Sequence, residues 1–460
     1  MLKGISLKAN PTKEQKVTLS QWMGCARFLW NAKCEEEKYL SSFARKCLPL
    51  GTYPKADQSF SQYKSRDLSP WLFECPSQVL RNSSSNWYQT YQSFLKGICG
   101  KPKRKKKGDT ESIHLTRELF RFEVCADGVK RLHIGTKKRD VGYLSFKKHG
   151  HFKEPNSIYI KKRNGRYAIS FCYENGKLTQ NQPTKEQHLK YLHGFSREEL
   201  AAMTVGIDRG IVRPIQAGEA VFDFSKEQKK AKKEKERYIR RCQRRLSRQN
   251  KGSKRRNRNK RKISCAHAKI GHIRKDFCHK TSRKIVDDVK TKVIVLEDLK
   301  TSKMTKKSKP QPKDSGKGWE KNKRRAKAGL NKSILDKGWH QLEVFLEYKA
   351  FDSGKALFKI SAHYTSQECA DCGHTHPNNR KSQKQFSCER CGHSGNADKN
   401  AAEVIKKRAI NLILDSGTEL SKRGVLLDTG RGATYKSLEA KATDARSNET
   451  SKKKRLANVA

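Results

Sequence analysis

Two sets of residues in this chain have the types and spacing that chemistry needs. The first is a pair of cysteine knuckles, Cys369-Ala370-Asp371-Cys372 and Cys388-Glu389-Arg390-Cys391, separated by fifteen residues and each followed by a glycine, Gly373 or Gly392. A CxxC turn presents two thiolates from one tight bend, and the glycine after it permits the positive φ such a bend needs. Four thiolates close the coordination sphere of a zinc ion, so the metal expected on Cys369, Cys372, Cys388 and Cys391 is structural. The second set is three carboxylates. Asp208 ends the apolar run Val205-Gly206-Ile207, Glu297 ends Val293-Ile294-Val295-Leu296, and Asp398 falls in Asn396-Ala397-Asp398-Lys399-Asn400. Two acids at strand ends and one on the first turn of a helix can together hold a pair of Mg²⁺ ions. Hard cations take oxygen ligands, and such a pair serves phosphodiester hydrolysis. Each acid alone has an ordinary explanation, as a turn residue or a helix cap. Asp298 should face away from Glu297 if the strand continues.

These residues need elements to position them. A strand is expected over Ala202 to Ile207 and another over Lys292 to Leu296, with a helix from about Ala397 to Leu414 carrying Asp398. Upstream, Lys3 to Lys8 alternates like a strand, and Thr12 to Phe43 has helical spacing. A second helix runs from about Ser77 to Lys96. Short runs at Phe120 to Val124, Val141 to Phe146, Ser157 to Lys161 and Tyr167 to Cys172 suggest a small barrel. Residues 175–198 look like a linker. A basic helical hairpin is expected over residues 226–280, broken near Gly252. Residues 300–332 are expected to be mobile, one helix should span about Ile334 to Ser353, and residues 415–460 should be loosely ordered.

Composition names the partner. The 460 residues hold 103 Lys and Arg against 46 acids, a formal charge of +57, and residues 226–280 alone carry 24 basic residues against four acidic ones. Such a charge repels itself unless a polyanion neutralises it, and its spread along the chain points to a long nucleic acid. A membrane is not the expected partner: no apolar anchor accompanies the charge, and Met1 to Lys16 has no apolar run to act as a signal. The fourteen cysteines are then expected to be reduced, in the cytoplasm.

The chain also resembles a known family. Gly206-Ile207-Asp208-Arg209-Gly210, Leu296-Glu297-Asp298-Leu299, Thr365-Ser366-Gln367-Glu368-Cys369, the two knuckles and Asn396-Ala397-Asp398-Lys399-Asn400-Ala401-Ala402 are similar to motifs of the TnpB (OrfB) nucleases of insertion sequences. These are RNA-guided enzymes related to compact type V CRISPR effectors. Pro11-Thr12-Lys13-Glu14-Gln15, Cys25-Ala26-Arg27-Phe28, Gly338-Trp339 and Leu346-Glu347-Tyr348-Lys349 extend the likeness over most of residues 1–411. The resemblance implies an α/β multidomain fold. Residues 1–20 and 105–195 would form a wedge β-barrel, with a helical recognition domain at 21–104 inserted in it. Residues 196–365 and 396–414 would form an RNase H-like RuvC nuclease domain, interrupted by a four-cysteine zinc ribbon at 366–395. It places catalysis on Asp208, Glu297 and Asp398, and implies a guide RNA, double-stranded target DNA and a short adjacent DNA motif read by the protein. Ser77, Gln78, Arg81 and Asn82, at the start of the second helix, are candidates for that reading. One copy of the protein in the RNA complex is expected, at a prokaryotic nucleoid. Three alternatives stay open: a CRISPR effector using a CRISPR RNA, a guided binder that does not cut, and a zinc-ribbon protein that is itself the transposase.

Overall fold

The computed structural model describes residues 2–49, 56–108, 110–136, 139–147, 152–174, 182–313, 318–320, 322–382 and 384–428. They divide into two compact units, residues 1–179 with 242–265, and 180–241 with 266–460.

In the first unit β1 (Leu2–Ala9) is followed by the long helix α1 (Lys13–Tyr39), whose capping box pairs Thr12 with Gln15. A π-turn at Leu40–Ala44 and the short α2 (Arg45–Cys47) continue it, and α3 (Ser77–Leu95) packs beside it. Six strands follow: β2 (Thr110–Thr116), β3 (Phe120–Val124), β4 (Lys130–Thr136), β5 (Arg139–Leu144), β6 (Ser157–Arg163) and β7 (Arg166–Glu174). They form an antiparallel sheet ordered β1-β7-β6-β2 and a second ordered β3-β4-β5. Alternation buries Tyr167, Ile169 and Phe171 from one sheet and Phe120 and Phe122 from the other. Phe122 meets Phe171 edge-on at 6.0 Å between ring centres, so the sheets share one core, which also takes in Trp22, Met23, Leu29, Val79 and Leu80 from α1 and α3. The strands β2 and β4 and the bridge of Ala9 to Phe146 complete the pattern that the sequence showed only in part.

In the second unit the segment expected to be a linker carries two helices, α4 (Lys185–Leu192) and α5 (Arg197–Met203). Each opens with a capping box, Thr184 with Gln187 and Ser196 with Glu199, a signal present in the sequence. Then come β8 (Thr204–Asp208), β9 (Ile215–Ala217) and β10 (Ala220–Phe222), and the basic helices α6 (Lys226–Ser247) and α7 (Lys254–Asp287), which turn at Gly252 with φ +88°; residues 242–265 of this hairpin, the turn included, belong to the first unit. β11 (Val293–Glu297), the short α8 (Thr301–Met304), α9 (Arg324–Lys337), α10 (Trp339–Asp352) and β12 (Ala356–Ile360) follow. The helix expected over Ile334 to Ser353 is therefore two, meeting at Gly338, whose φ of +75° no regular helix contains. Part of the stretch expected to be mobile is ordered: α9 begins at Arg324, and Asn331 and Lys327 donate to the carbonyls of Thr305 and Met304. A hairpin of β13 (Gln385–Ser387) and β14 (Ser394–Asn396) leads into α11 (Ala397–Leu414). Residues 415–428, expected to be loose, form the hairpin of β15 (Thr418–Leu420) and β16 (Leu426–Asp428), with Leu426 buried. The remainder of that tail lies outside the described residues. No helix among the described residues is long and apolar enough to cross a membrane.

The second unit is built on a mixed sheet ordered β10-β9-β8-β11-β12, in which β8, β11 and β12 run parallel and β9 and β10 antiparallel. Every residue of β11 and β12 is buried, which explains why they are apolar apart from Glu297 and Lys359: helices cover both faces. Ile207, Ile294, Leu296 and Leu357 pack on one face with Phe277 of α7 and Leu342 and Leu346 of α10. Val293, Val295, Phe358 and Ile360 pack on the other with Ile405, Ala409 and Ile413 of α11.

Candidate active site

The sheet register brings two of the three acids together. Leu296 of β11 pairs with Ile207 of β8 in parallel register, which places Glu297 and Asp208 at adjacent positions one residue beyond. Side chains alternate along a strand, so Asp208 lies on the same face as Gly206, and Glu297 on the same face as Val293 and Val295. That face is covered by α11. Gly206 determines how closely: a Cβ there would lie 2.1 Å from the Ala402 carbonyl oxygen and 2.8 Å from the Lys406 nitrogen. Only glycine lets the helix backbone rest on the strand backbone. Asp398 is one turn before Ala402, about 6 Å along the helix, and Asp208 is two residues after Gly206, about 6.6 Å along the strand. Asp398 thus lies near enough to the first two for its charge to act on Asp208.

Asp398 does not cap its helix. Asn396 does, its side-chain oxygen accepting from the Asp398 and Lys399 nitrogens at 3.1 and 3.2 Å. The Asp398 carboxylate is left to the cluster, with Arg380 at 3.8 Å. Burial, with the charges of Glu297 and Asp398, pushes the Asp208 carboxyl up to about 7. The Glu297 carboxyl is also raised by burial, opposed by a hydrogen bond from Thr365 and by nearby arginines. The Asp398 carboxyl is raised for the same reason, with Arg380 and Arg213 opposing. Three oxygen donors that ionise together only at an electrostatic cost are of the type a divalent cation takes, although among the described residues only the four cysteines already have their ligand atoms within one ion's reach.

The opposite face carries a network that sequence reading missed. Arg209, buried, donates to the Glu297 carbonyl and to the Glu343 carboxylate at 2.9 Å; Glu343 also accepts from Lys359 at 2.6 Å. Burial alone would raise the Glu343 carboxyl, but Lys359 and Arg209 together hold it below the usual range. Asp298 pairs with Arg423 and stays out of the cluster.

The four cysteines converge as expected, with their sulfurs within 4.8 Å of one another. Cys369 to Cys391 and Cys372 to Cys388 are each 3.6 Å apart, close to the roughly 3.8 Å edge of a tetrahedron with 2.3 Å zinc–sulfur bonds. Gly373 and Gly392 have φ of +72° and +73° and donate to the Cys369 and Cys388 carbonyls. The donor set and spacing fit zinc. Asn400 of α11 fastens this module, accepting from the Ala370 nitrogen at 3.0 Å and donating to the Glu368 carbonyl at 2.8 Å.

In the first unit, Ser77 and Gln78 sit at the start of α3, with Ser77 reached by Lys64. Arg81 is paired with Glu118 at 3.2 Å, and the buried Asn82 amide donates to the His114 carbonyl. A cavity of about 690 Å³ opens further along the helix, lined by Asn86, Gln89 and Ser93 with Lys105, Lys106 and His114. None of the four sequence candidates lines it.

The mixed sheet and the paired cysteine knuckles define an α/β protein with a four-cysteine module. A solved Cas12f1, from a complex with guide RNA and target DNA, has this fold, with a TM-score of 0.50 at 13% identity over 88% of this chain and 98% of that one. Residues 170–308 match the OrfB/IS605 family described as a probable transposase. Residues 1–36 match that family's helix-turn-helix domain, and residues 339–405 match the Cas12f1-like TNB domain. A putative RNA-guided DNA endonuclease, InsQ, of Escherichia coli (strain K12) is 28% identical over 94% of this chain and 96% of its own. Another putative RNA-guided DNA endonuclease, from Streptomyces pristinaespiralis, is 25% identical over 86% of each. The resemblance to the TnpB (OrfB) nucleases is thus borne out by family models over separate stretches of the chain and by these relatives over most of its length.

Proposed function

We propose that this protein is a transposon-encoded, RNA-guided DNA endonuclease that cuts beside a short motif it reads itself, using Asp208, Glu297 and Asp398. The observation that carries this reading is the convergence of the three acids on the α11 face, with Asn396 taking the capping role that would otherwise explain Asp398. Bound Mg²⁺ ions, two in number, would activate water and stabilise the leaving oxygen of the scissile phosphodiester. The chain's own contribution is placement. Asp208 and Glu297 are fixed by strand register, Asp398 by the contact of α11 with Gly206, and Arg380 and Arg213 offer positive charge for a phosphate beside the acids.

The ribbon at 366–395 holds structural zinc on its four cysteines and secures the helix that bears Asp398. The sheets of residues 1–20 and 105–195 act as the wedge, and the helices of 21–104 as the recognition domain. Residues 196–365 and 396–414 are the nuclease. Ser77 and Gln78 are the freer of the four motif-reading candidates. Guide RNA supplies sequence by pairing, while the basic surface grips backbones. The protein acts as one copy on its RNA, at the nucleoid. Relatives over nearly the full length are named as putative RNA-guided endonucleases, whereas the sequence matches to CRISPR nucleases cover 16%, 18% and 29% of the chain. This favours a guide from the transposon. Expression with the native gene flank, sequencing of the copurified RNA, and cleavage of plasmids carrying its complement beside a randomised motif test the proposal. RNA from the flank and Mg²⁺-dependent cutting support it; repeat-derived RNA favours the CRISPR reading, and binding without cutting overturns it.

A further inference from the structure

Glu297 is held by its backbone but not by its strand alone. Arg209 donates to its carbonyl, and the next residue, Asp298, donates its nitrogen to the Ile360 carbonyl at 2.8 Å. The strand end is thereby fixed, and what remains free is the side chain, a carboxylate on three rotatable bonds. Its partner is the Thr365 hydroxyl, which donates to Oε1. Both groups are buried, Glu297 6% and Thr365 3% exposed. Among the described residues its other acceptor is the Ala362 carbonyl, at a marginal 3.4 Å. A threonine needing only a local turn bond would take the carbonyl at closer range; this one reaches 68 residues back to the acid.

Thr365 is also the last residue before the ribbon. Glu368, three residues on, is paired with Arg408 and accepts from Asn400, both on α11. The hydroxyl and the base of the ribbon are thus fastened to one frame. Resting on the reading of Glu297 as a cation ligand, we propose that Thr365 is a positioning residue, whose hydroxyl holds the Glu297 carboxylate toward Asp208 and so sets cation affinity at the site. Partners that orient a ligand in this way change metal affinity about 10- to 100-fold when removed.

The test uses the full, zinc-loaded chain freed of RNA in high salt, and Mn²⁺ as the probe, with binding followed by electron paramagnetic resonance. Zinc content and melting temperature are measured on the same samples, and DNA cutting against Mg²⁺ concentration on the guide complex. Thr365→Val, which keeps the shape and removes the hydroxyl, is expected to weaken Mn²⁺ binding about tenfold and shift the Mg²⁺ dependence of cutting equally. Zinc content should not change. Thr365→Ser is expected to restore both, and Thr365→Ala to behave like the valine variant. If the parent and Thr365→Val bind Mn²⁺ with the intended difference but neither cuts, positioning stands and the nuclease reading falls. Unchanged Mn²⁺ affinity in Thr365→Val overturns the proposal, as does a parent that binds no Mn²⁺. Loss of zinc or early melting in both the valine and alanine variants would make the hydroxyl structural and also overturn it.

Discussion

Asp208 is the residue on which the electrostatics converge. Its carboxyl titrates near 7 in the folded protein against an ordinary value of 3.8, so without a cation the fold disfavours its charge. Well below pH 3.8 both folded and unfolded chains hold the proton and nothing is lost. As pH rises toward 7 the unfolded chain alone releases it, and stability falls. Asp208→Asn removes that penalty. In EDTA at pH 8 it should melt roughly 2–6 °C above the parent, with the difference shrinking toward pH 4, as scanning calorimetry would show. The same variant, like Glu297→Gln and Asp398→Asn, should cut DNA at least about a thousandfold more slowly while binding it normally. The acids were legible because each ends an apolar run or opens a helix, and the cysteines because their spacing is chemical. Arg209, Glu343, Lys359 and Thr365 were not. Glu343 and Lys359 look like solvent-facing charges on their own elements, and only the sheet and α10 show that Lys359 is buried against the half-buried Glu343.

At the scale of elements, α11 and β8 make the critical contact. Gly206→Ala would put a methyl group where the Ala402 carbonyl lies, so α11 must move or the unit must loosen. A loss of about 3 kcal/mol or more is expected in chemical denaturation, with cutting abolished even where the fold survives. The ribbon is the second such element. Chelating its metal, or replacing Cys372 with Ser, should free thiols to a mercurial titrant and stop cutting, because Asn400 and Thr365 tie the ribbon base to two of the three acids. Long periodic elements were readable in advance: α1, α3, the basic hairpin and β11 fall within a few residues of expectation. The short helices α4 and α5 were not, although their capping boxes were in view, because a polar segment with little apolar periodicity resembles a connector until neighbouring elements bury Leu189 and Leu200. Gly338 was visible as a glycine, but its left-handed conformation follows from packing against Arg274 and Cys278.

For the whole molecule, the charge of +57 makes nucleic acid part of the folded state's economy. Affinity for the guide RNA should fall by about a thousandfold or more between 50 and 200 mM salt, as filter binding across a salt series would reveal. This partner class was legible from composition, as was the α/β character of the second unit from its apolar strands. The two antiparallel sheets of the first unit were legible only in outline, since β2 and β4 alternate over only two buried apolar residues each, Ile113 and Leu115 or Leu132 and Ile134, amid polar and charged ones. The central claim is that the acids on the α11 face cut DNA chosen by a guide. The most direct measurement is cleavage of a supercoiled plasmid bearing the guide's complement and motif by the purified RNA complex, beside the Asp208→Ala complex at equal DNA occupancy. The account predicts linear product from the parent with Mg²⁺, none in EDTA and none from the variant. Equal cutting by both complexes, or none by either when the plasmid is fully bound, would contradict it.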